Sequence, residues 1–305
     1  MLLYLIKRLG LGLGVMLAVS LVTYALTNTA VDPARAIAGE AATEQDVQAI
    51  RVAYGFDRPV VERYAIWLHG AVTGDLGMSY RQKRPVFAVV GERLPVTLKL
   101  GCLAFIIALA LSIPLGILAA LYQGTWIDRF ALALAIMGQA IPSFWLALLG
   151  VVLFSVTLGW LPASGASGWT SFLMPAVVLA YYATPTIMRL TRAGMIDVLH
   201  ADYIRTARAK GLLPRTIIFK HALRNALLPV VSIAAVQLGY MLGGSVVIET
   251  IFAMPGIGYL AWESISLSDL PVVQAIVLVV AAFYVVLTTL SDVLNAWLDP
   301  RLRTS

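Results

Sequence analysis

Six cations, Arg205, Arg208, Lys210, Arg215, Lys220 and Arg224, lie in the polar stretch Asp197–Pro229 of an otherwise apolar second half. Basic groups at this density suit three kinds of chemistry: docking on a protein surface, holding near anionic headgroups, or pairing with nucleic acid phosphate. Hydrophobic runs on both sides disfavour nucleic acid. The local signals give a short helix over Tyr203–Lys210, with Asp202 as its N-cap and Gly211 ending it. Pro214 suits the first turn of a second helix running toward Leu227. At 1.5 Å per residue the first helix is only about 12 Å long, too short to persist alone in water. It needs a surface to dock on. Ala207 and Ala209 permit close approach, with Tyr203, Arg205, Thr206, Arg208 and Lys210 around them.

Catalytic chemistry finds little to work with. No Gly-Lys dipeptide occurs, so there is no phosphate-binding P-loop. His69, His200 and His221 are scattered without metal-ligand spacing, and no Ser–His–acid arrangement can be argued from them. Cys102 is the single cysteine, which excludes an intrachain disulfide and a thiolate metal cluster. The chain is expected to be no enzyme, to hold no cofactor and no metal. Polar chemistry inside the apolar runs is neutral instead: Gln139, Ser143, Tyr181, Tyr182, Gln237, Tyr240 and Ser245. These suit either a solute path of low fixed charge or hydrogen bonds between helices. Gly239, Gly243 and Gly244 form a small-residue face suited to close helix packing. Ionisable groups are missing from mid-span positions, which weakens an ion-coupled carrier.

The elements that carry these groups are membrane spans. The chain is 60% hydrophobic and 12% charged with net charge +6, where soluble domains are about 25% charged. Six apolar runs are long enough for a hydrocarbon core of about 30 Å: Leu9–Leu26, Val96–Leu121, Phe130–Leu158 (broken near Gln139 and Pro142), Ser171–Leu190, Leu228–Ile248 and Val272–Leu290. Between the first two lies a mixed-charge segment, 32–95, read as a folded external region with amphipathic patterns at Val47, Ile50 and Val52 and at Val61, Tyr64, Ile66 and Leu68. Basic residues collect in the loop 191–227 and at Arg301 and Arg303. Segment Glu249–Pro271 carries acids and no Lys or Arg. The positive-inside rule then places both termini and the basic loop in the cytoplasm.

RTARAKG, followed by HALRNALLPVV, resembles the cytoplasmic coupling loop of inner-membrane permeases in ABC importers, most like the B-type subunit of the oligopeptide, dipeptide and nickel group. Arg205-Thr206-Ala207 stands where the general motif has Glu-Ala-Ala, and Gly211 is its Gly. The segment from Asp32 to Tyr80, FAMPGIGYLAWESISLSDLPVVQA and the terminal LDPRLR look like the same family. The resemblance implies an all-α type I importer permease with six transmembrane helices: residues 1–31 as N-terminus and first span, 32–95 periplasmic, 96–305 the core. It implies a bacterial inner-membrane location and half of a translocation pathway for peptides, nickel or another solute. The implied partners are a second permease, two ATPase subunits that bind ATP and Mg, a periplasmic solute-binding protein and membrane lipid. Tyr203–Gly211 would couple the chain to those ATPases.

Overall fold

A computed structural model describes residues 2–39 and 41–298. The basic tail at Arg301 and Arg303 lies outside them. Among the described residues there is no β-strand beyond one isolated bridge, Met78 with Pro85. The helices in chain order are α1 (Leu2–Ala30), α2 (Pro33–Ala38), α3 (Glu44–Ala53), α4 (Val60–Thr73), α5 (Val86–Leu121), α6 (Trp126–Ala140), α7 (Ser143–Gly150) with a π-helical continuation Val151–Thr157, and α8 (Thr170–Leu199). They continue with α9 (Asp202–Ala209), α10 (Pro214–Thr216), a π-helical stretch Ile217–Ala222, α11 (Leu223–Ala226), α12 (Leu228–Ile251), α13 (Ile257–Ser266) and α14 (Leu270–Leu298).

Among the described residues four helices, α1, α5, α8 and α14, are apolar and long enough to cross a membrane unbroken. Two bent pairs bring the number to six: Trp126–Ala140 with Ser143–Thr157, bent by 99°, and Pro214–Ala226 with Leu228–Gly243, bent by 57°. Pro142 stands at the first break, where it stops the helix expected over Phe130–Leu158. The second span starts ten residues earlier than its apolar run suggests, because Val86, Val89 and Val90 present an i, i+3, i+4 face. Glu92 and Arg93 make that stretch read as loop, but burial of its apolar face overrides them.

The chain forms two compact units, Met1–Thr97 with Pro255–Val285 and Leu98–Met254 with Val286–Ser305. In the first, Val86, Val89 and Val90 pack with Ile257, Leu260, Val272, Ala275 and Ile276. A buried carboxylate ties the loops above this core. Asp269 accepts from Ser79 Oγ at 2.5 Å and from the Tyr80 amide at 2.9 Å, while Arg81 Nε donates to the Leu267 carbonyl. Burial pushes the Tyr80 phenol well above its ordinary range, so it stays protonated. Asp32 caps α2 by accepting from the Ala34 amide and pairs with Arg51 at 2.6 Å.

In the second unit α8 is the central helix, packed by α6, α7, α11 and α12. Arg192 on α8 donates from Nε and Nη2 to both oxygens of Asp128, at 2.6 and 2.8 Å, and the Gly124 amide adds a bond of 2.9 Å. The Asp128 side chain is only 5% exposed, so this two-pronged pairing offsets its loss of water. Close backbone approach fixes the other side of α8. A Cβ on Gly194 would sit 2.8 Å from the Ala226 carbonyl oxygen, and one on Gly116 would sit 2.8 Å from the Met188 carbonyl oxygen.

The glycine face proposed for α12 is not uniform. Gly239 is buried, whereas Gly243 is exposed and a Cβ there would meet nothing within 4 Å. Gly243 thus packs on nothing within this chain, and the surroundings of Gly244 lie outside the described side chains. Gly194→Leu should therefore lower the thermal stability of the purified chain, by about 1–3 kcal/mol for overpacking. Gly243→Leu should leave its melting temperature unchanged, and a circular-dichroism melt compares the two.

Candidate functional site

Two places gather the chemistry read from the sequence, and both lie in the second unit. The first is α9. It spans Asp202–Ala209, and its N-cap is Ala201, not Asp202, with no side-chain cap bond. Asp202 instead opens the helix, where its charge favours the N-terminal dipole, and lies 3.4 Å from Arg205. Lys210 is the C-cap and Gly211 takes φ +74°, the left-handed conformation that a side chain tolerates poorly. The second helix does begin at Pro214, then continues through the π-helical turn.

Orientation corrects one expectation. Ala207 does not offer its methyl outward: it is buried with Ile204 among Ile117, Ala120, Met195, Ile217, Ala222 and Ala226 of this same chain. Ile204 is 0% exposed, worth about 1.5–3 kcal/mol of hydrophobic stabilisation. The surface demanded by so short a helix is thus supplied first by α5, α8 and the π-helical turn. The residues left facing out are Asp202, Tyr203, Arg205, Thr206, Arg208, Ala209 and Lys210. Ala209 keeps the small, close-approach character expected of Ala207. Leu213, two residues beyond Gly211, is also exposed, and Asn225 Nδ2 braces the outward face by donating to the Tyr203 hydroxyl at 2.8 Å.

The second place is a cavity of about 330 Å³ lined by Gln139, Ser143, Val178, Leu179, Tyr182, Thr186, Gln237, Tyr240, Met241, Val247 and Ile248. Five of the seven neutral polar residues read from the apolar runs meet here. The bend between α6 and α7 brings Gln139 and Ser143 to one wall, α8 supplies Tyr182 and Thr186, and α12 supplies Gln237 and Tyr240. Tyr181 does not join them. Neighbours on a helix are about 100° apart, and Tyr181 faces an apolar cavity with Gly138, Thr184 and Pro185. Ser245 is also elsewhere, buried and donating to the Leu242 carbonyl.

Two groups were missed. Thr186 lines the cavity, and Arg189 Nη1 donates to Gln139 Oε1 at 3.0 Å, fixing that amide. Their signal was available: Tyr182, Thr186 and Arg189 recur at i, i+4, i+7 along α8, one face of a helix. No group of three His, Cys, Asp or Glu among the described residues could hold a metal ion. The arrangement offers amide and hydroxyl groups to a polar solute, with a guanidinium beside them.

Comparison with known proteins gives a consistent picture. Residues 112–304 match the family described as binding-protein-dependent transport system inner membrane component, and residues 1–101 match the N-terminal part of such components. A Brucella abortus protein named as a peptide transport system permease is 41% identical over 307 residues, covering 98% of both chains. A glutathione transport system permease protein of Escherichia coli is 39% identical over 272 residues, covering 89% of both. An inward-facing structure of the MetNI methionine ABC transporter is similar in fold, with TM-score 0.58 at 20% identity, over 69% of this chain and 96% of that one.

The cavity geometry predicts a labelling pattern in a chain whose Cys102 is replaced by Ala. Ser143→Cys and Gln237→Cys should react with a small water-soluble thiol reagent, and Tyr181→Cys should react at least several-fold more slowly. Mass spectrometry of the labelled chain reads the difference.

Proposed function

The chain belongs to the binding-protein-dependent transport system inner membrane components, the permease subunits of ABC importers, and on that premise we propose that it forms half of a peptide pathway driven through α9. Relatives named for peptide and glutathione transport support a solute with peptide bonds and free carboxylates. The single observation that carries the pathway reading is the convergence of Gln139, Ser143, Tyr182, Gln237 and Tyr240 on one cavity beside a helix break. Amide and hydroxyl groups can exchange hydrogen bonds with any peptide backbone, so they hold a solute without selecting its side chains.

The outward face of α9 docks on an ATPase subunit, and the seat formed by Ile204 and Ala207 transmits the movement into α5 and α8. ATP and Mg are bound by those ATPases, while this chain holds no cofactor and performs no hydrolysis. A second permease completes the pathway, and an external solute-binding protein delivers the solute. Both termini and the basic loop face the cytoplasm, supported by the cations of Asp197–Pro229 against the acids of Glu249–Pro271.

The test separates the two faces of α9. Ala209→Arg places a bulky charge on the outward face, and should leave the chain's level in the membrane unchanged while sharply reducing ATPase co-purification and solute uptake. Ala207→Glu puts a carboxylate into the apolar seat and should lower the amount of folded chain itself. Full ATPase association and uptake for Ala209→Arg would reject this docking face.

A further inference from the structure

We infer that α4 lies in the membrane boundary at the C-terminal end of α1, with its unpartnered apolar stripe set among lipid acyl chains. Val61 and Val72 are 79% and 80% exposed, more than any other large hydrophobic side chain among the described residues. With exposed Ala65 and partly buried Leu68 they follow an i, i+4, i+7, i+11 spacing, and at about 100° per residue all four fall within about 60° of arc. Glu62, His69 and Thr73 are exposed on the adjoining face. A helix with these two faces has the build of an interfacial helix.

What covers the stripe follows from how α4 meets α1. Arg63 Nη1 donates to Asn28 Oδ1 at 3.0 Å, while the next residue, Tyr64, shares a hydrogen bond of 2.8 Å with Ser20 Oγ. Two neighbours on α4 therefore reach points eight residues, or about 12 Å, apart on α1. As α4 advances through Arg63, Tyr64 and Trp67 its partners on α1 are Asn28, Ser20 and Tyr24, an order that does not advance along α1, so α4 crosses α1 instead of running alongside it. The crossing lies at Tyr24, whose ring meets Tyr64 at 5.4 Å and Trp67 at 5.6 Å. The apolar span of α1 runs to Thr29, so the crossing is about 8 Å inside its end. That depth matches the boundary between headgroups and acyl chains.

The direction of the stripe follows from the same bonds. Arg63 points along α1 toward its end, Trp67 faces α1, and Tyr64 points toward the middle of the span. Continuing around α4 in that sense, the next face after Tyr64 is the stripe, so Val61, Ala65, Leu68 and Val72 point to mid-membrane depth. It continues the lipid-facing surface of α1, where Leu17, Leu21, Val22 and Leu26 are each at least 50% exposed. Lipid is the occupant that this continuity selects. In the orientation proposed above the leaflet is the outer one, but the depth argument does not depend on that side.

The test uses the assembled transporter in proteoliposomes, with Cys102 replaced and single nitroxide labels at Val61, Ala65, Leu68, Val72, Glu62 and His69. Electron paramagnetic resonance measures relaxation by oxygen, which concentrates in lipid, and by a water-soluble nickel chelate. The ratio of oxygen to chelate accessibility should be several-fold higher at the stripe than at Glu62 and His69, and highest at Leu68 or Val61. Higher chelate accessibility at the stripe would overturn the inference, since the helix would then stand in water. Protection from both reagents would overturn it too, because a protein partner would cover the face. Solute uptake by the unlabelled complex distinguishes either failure from a failure of the transport reading.

Discussion

An eight-residue helix cannot hold itself together, and α9 persists because Ile204 and Ala207 are buried in a seat built by the chain's own helices. The seat draws Ile117 and Ala120 from α5, Met195 from α8, and Ile217, Ala222 and Ala226 from the segment that follows. Each is separated in sequence from α9, yet all must move if α9 moves without losing its core. A close-packed interior transmits displacement because it has no slack to absorb it. The same burial that makes α9 stable therefore ties it mechanically to α5 and α8, the route the proposed coupling would use.

From α8 the connections lead to the cavity. Asp128 with Arg192 and Gln139 with Arg189 pin α8 to both ends of α6. A Cβ added at Gly138 would come 2.8 Å from the Pro185 ring, so these two helices also approach closely beside the Gln139 pin. The cavity sits where α6 stops at Pro142, and four of its six polar lining residues come from that interruption and from α8. Broken helices at membrane depth are tolerated where protein or a cavity, not lipid, meets the freed backbone groups. A shift of α8 would change this wall directly.

Much of this was legible in the sequence. The six spans follow from apolar length, the break near Gln139 from Pro142, and the turn at Gly211 from its need for positive φ. The polar lining was legible as residue types, and their meeting in one cavity was not. Tyr181 and Tyr182 look equivalent in a sequence, but a 100° step sends them to different cavities. The seat of α9 was misjudged for a related reason. Ala207 and Ala209 are both small, and only the i, i+3 pairing of Ile204 with Ala207 says which one turns inward. The early start of α5 was hidden because Glu92 and Arg93 outweigh Val86, Val89 and Val90 in composition, although the valines' burial decides the conformation.

The central claim is that the outward face of α9, and not its buried face, meets the ATPase. A photo-crosslinking amino acid placed at Thr206 or Ala209 in the assembled transporter tests this directly. Illumination should produce an adduct between this chain and an ATPase subunit from both positions, and none from the same group at Ala222 in the seat. Adducts confined to other loops, with none from Thr206 or Ala209, would contradict the account.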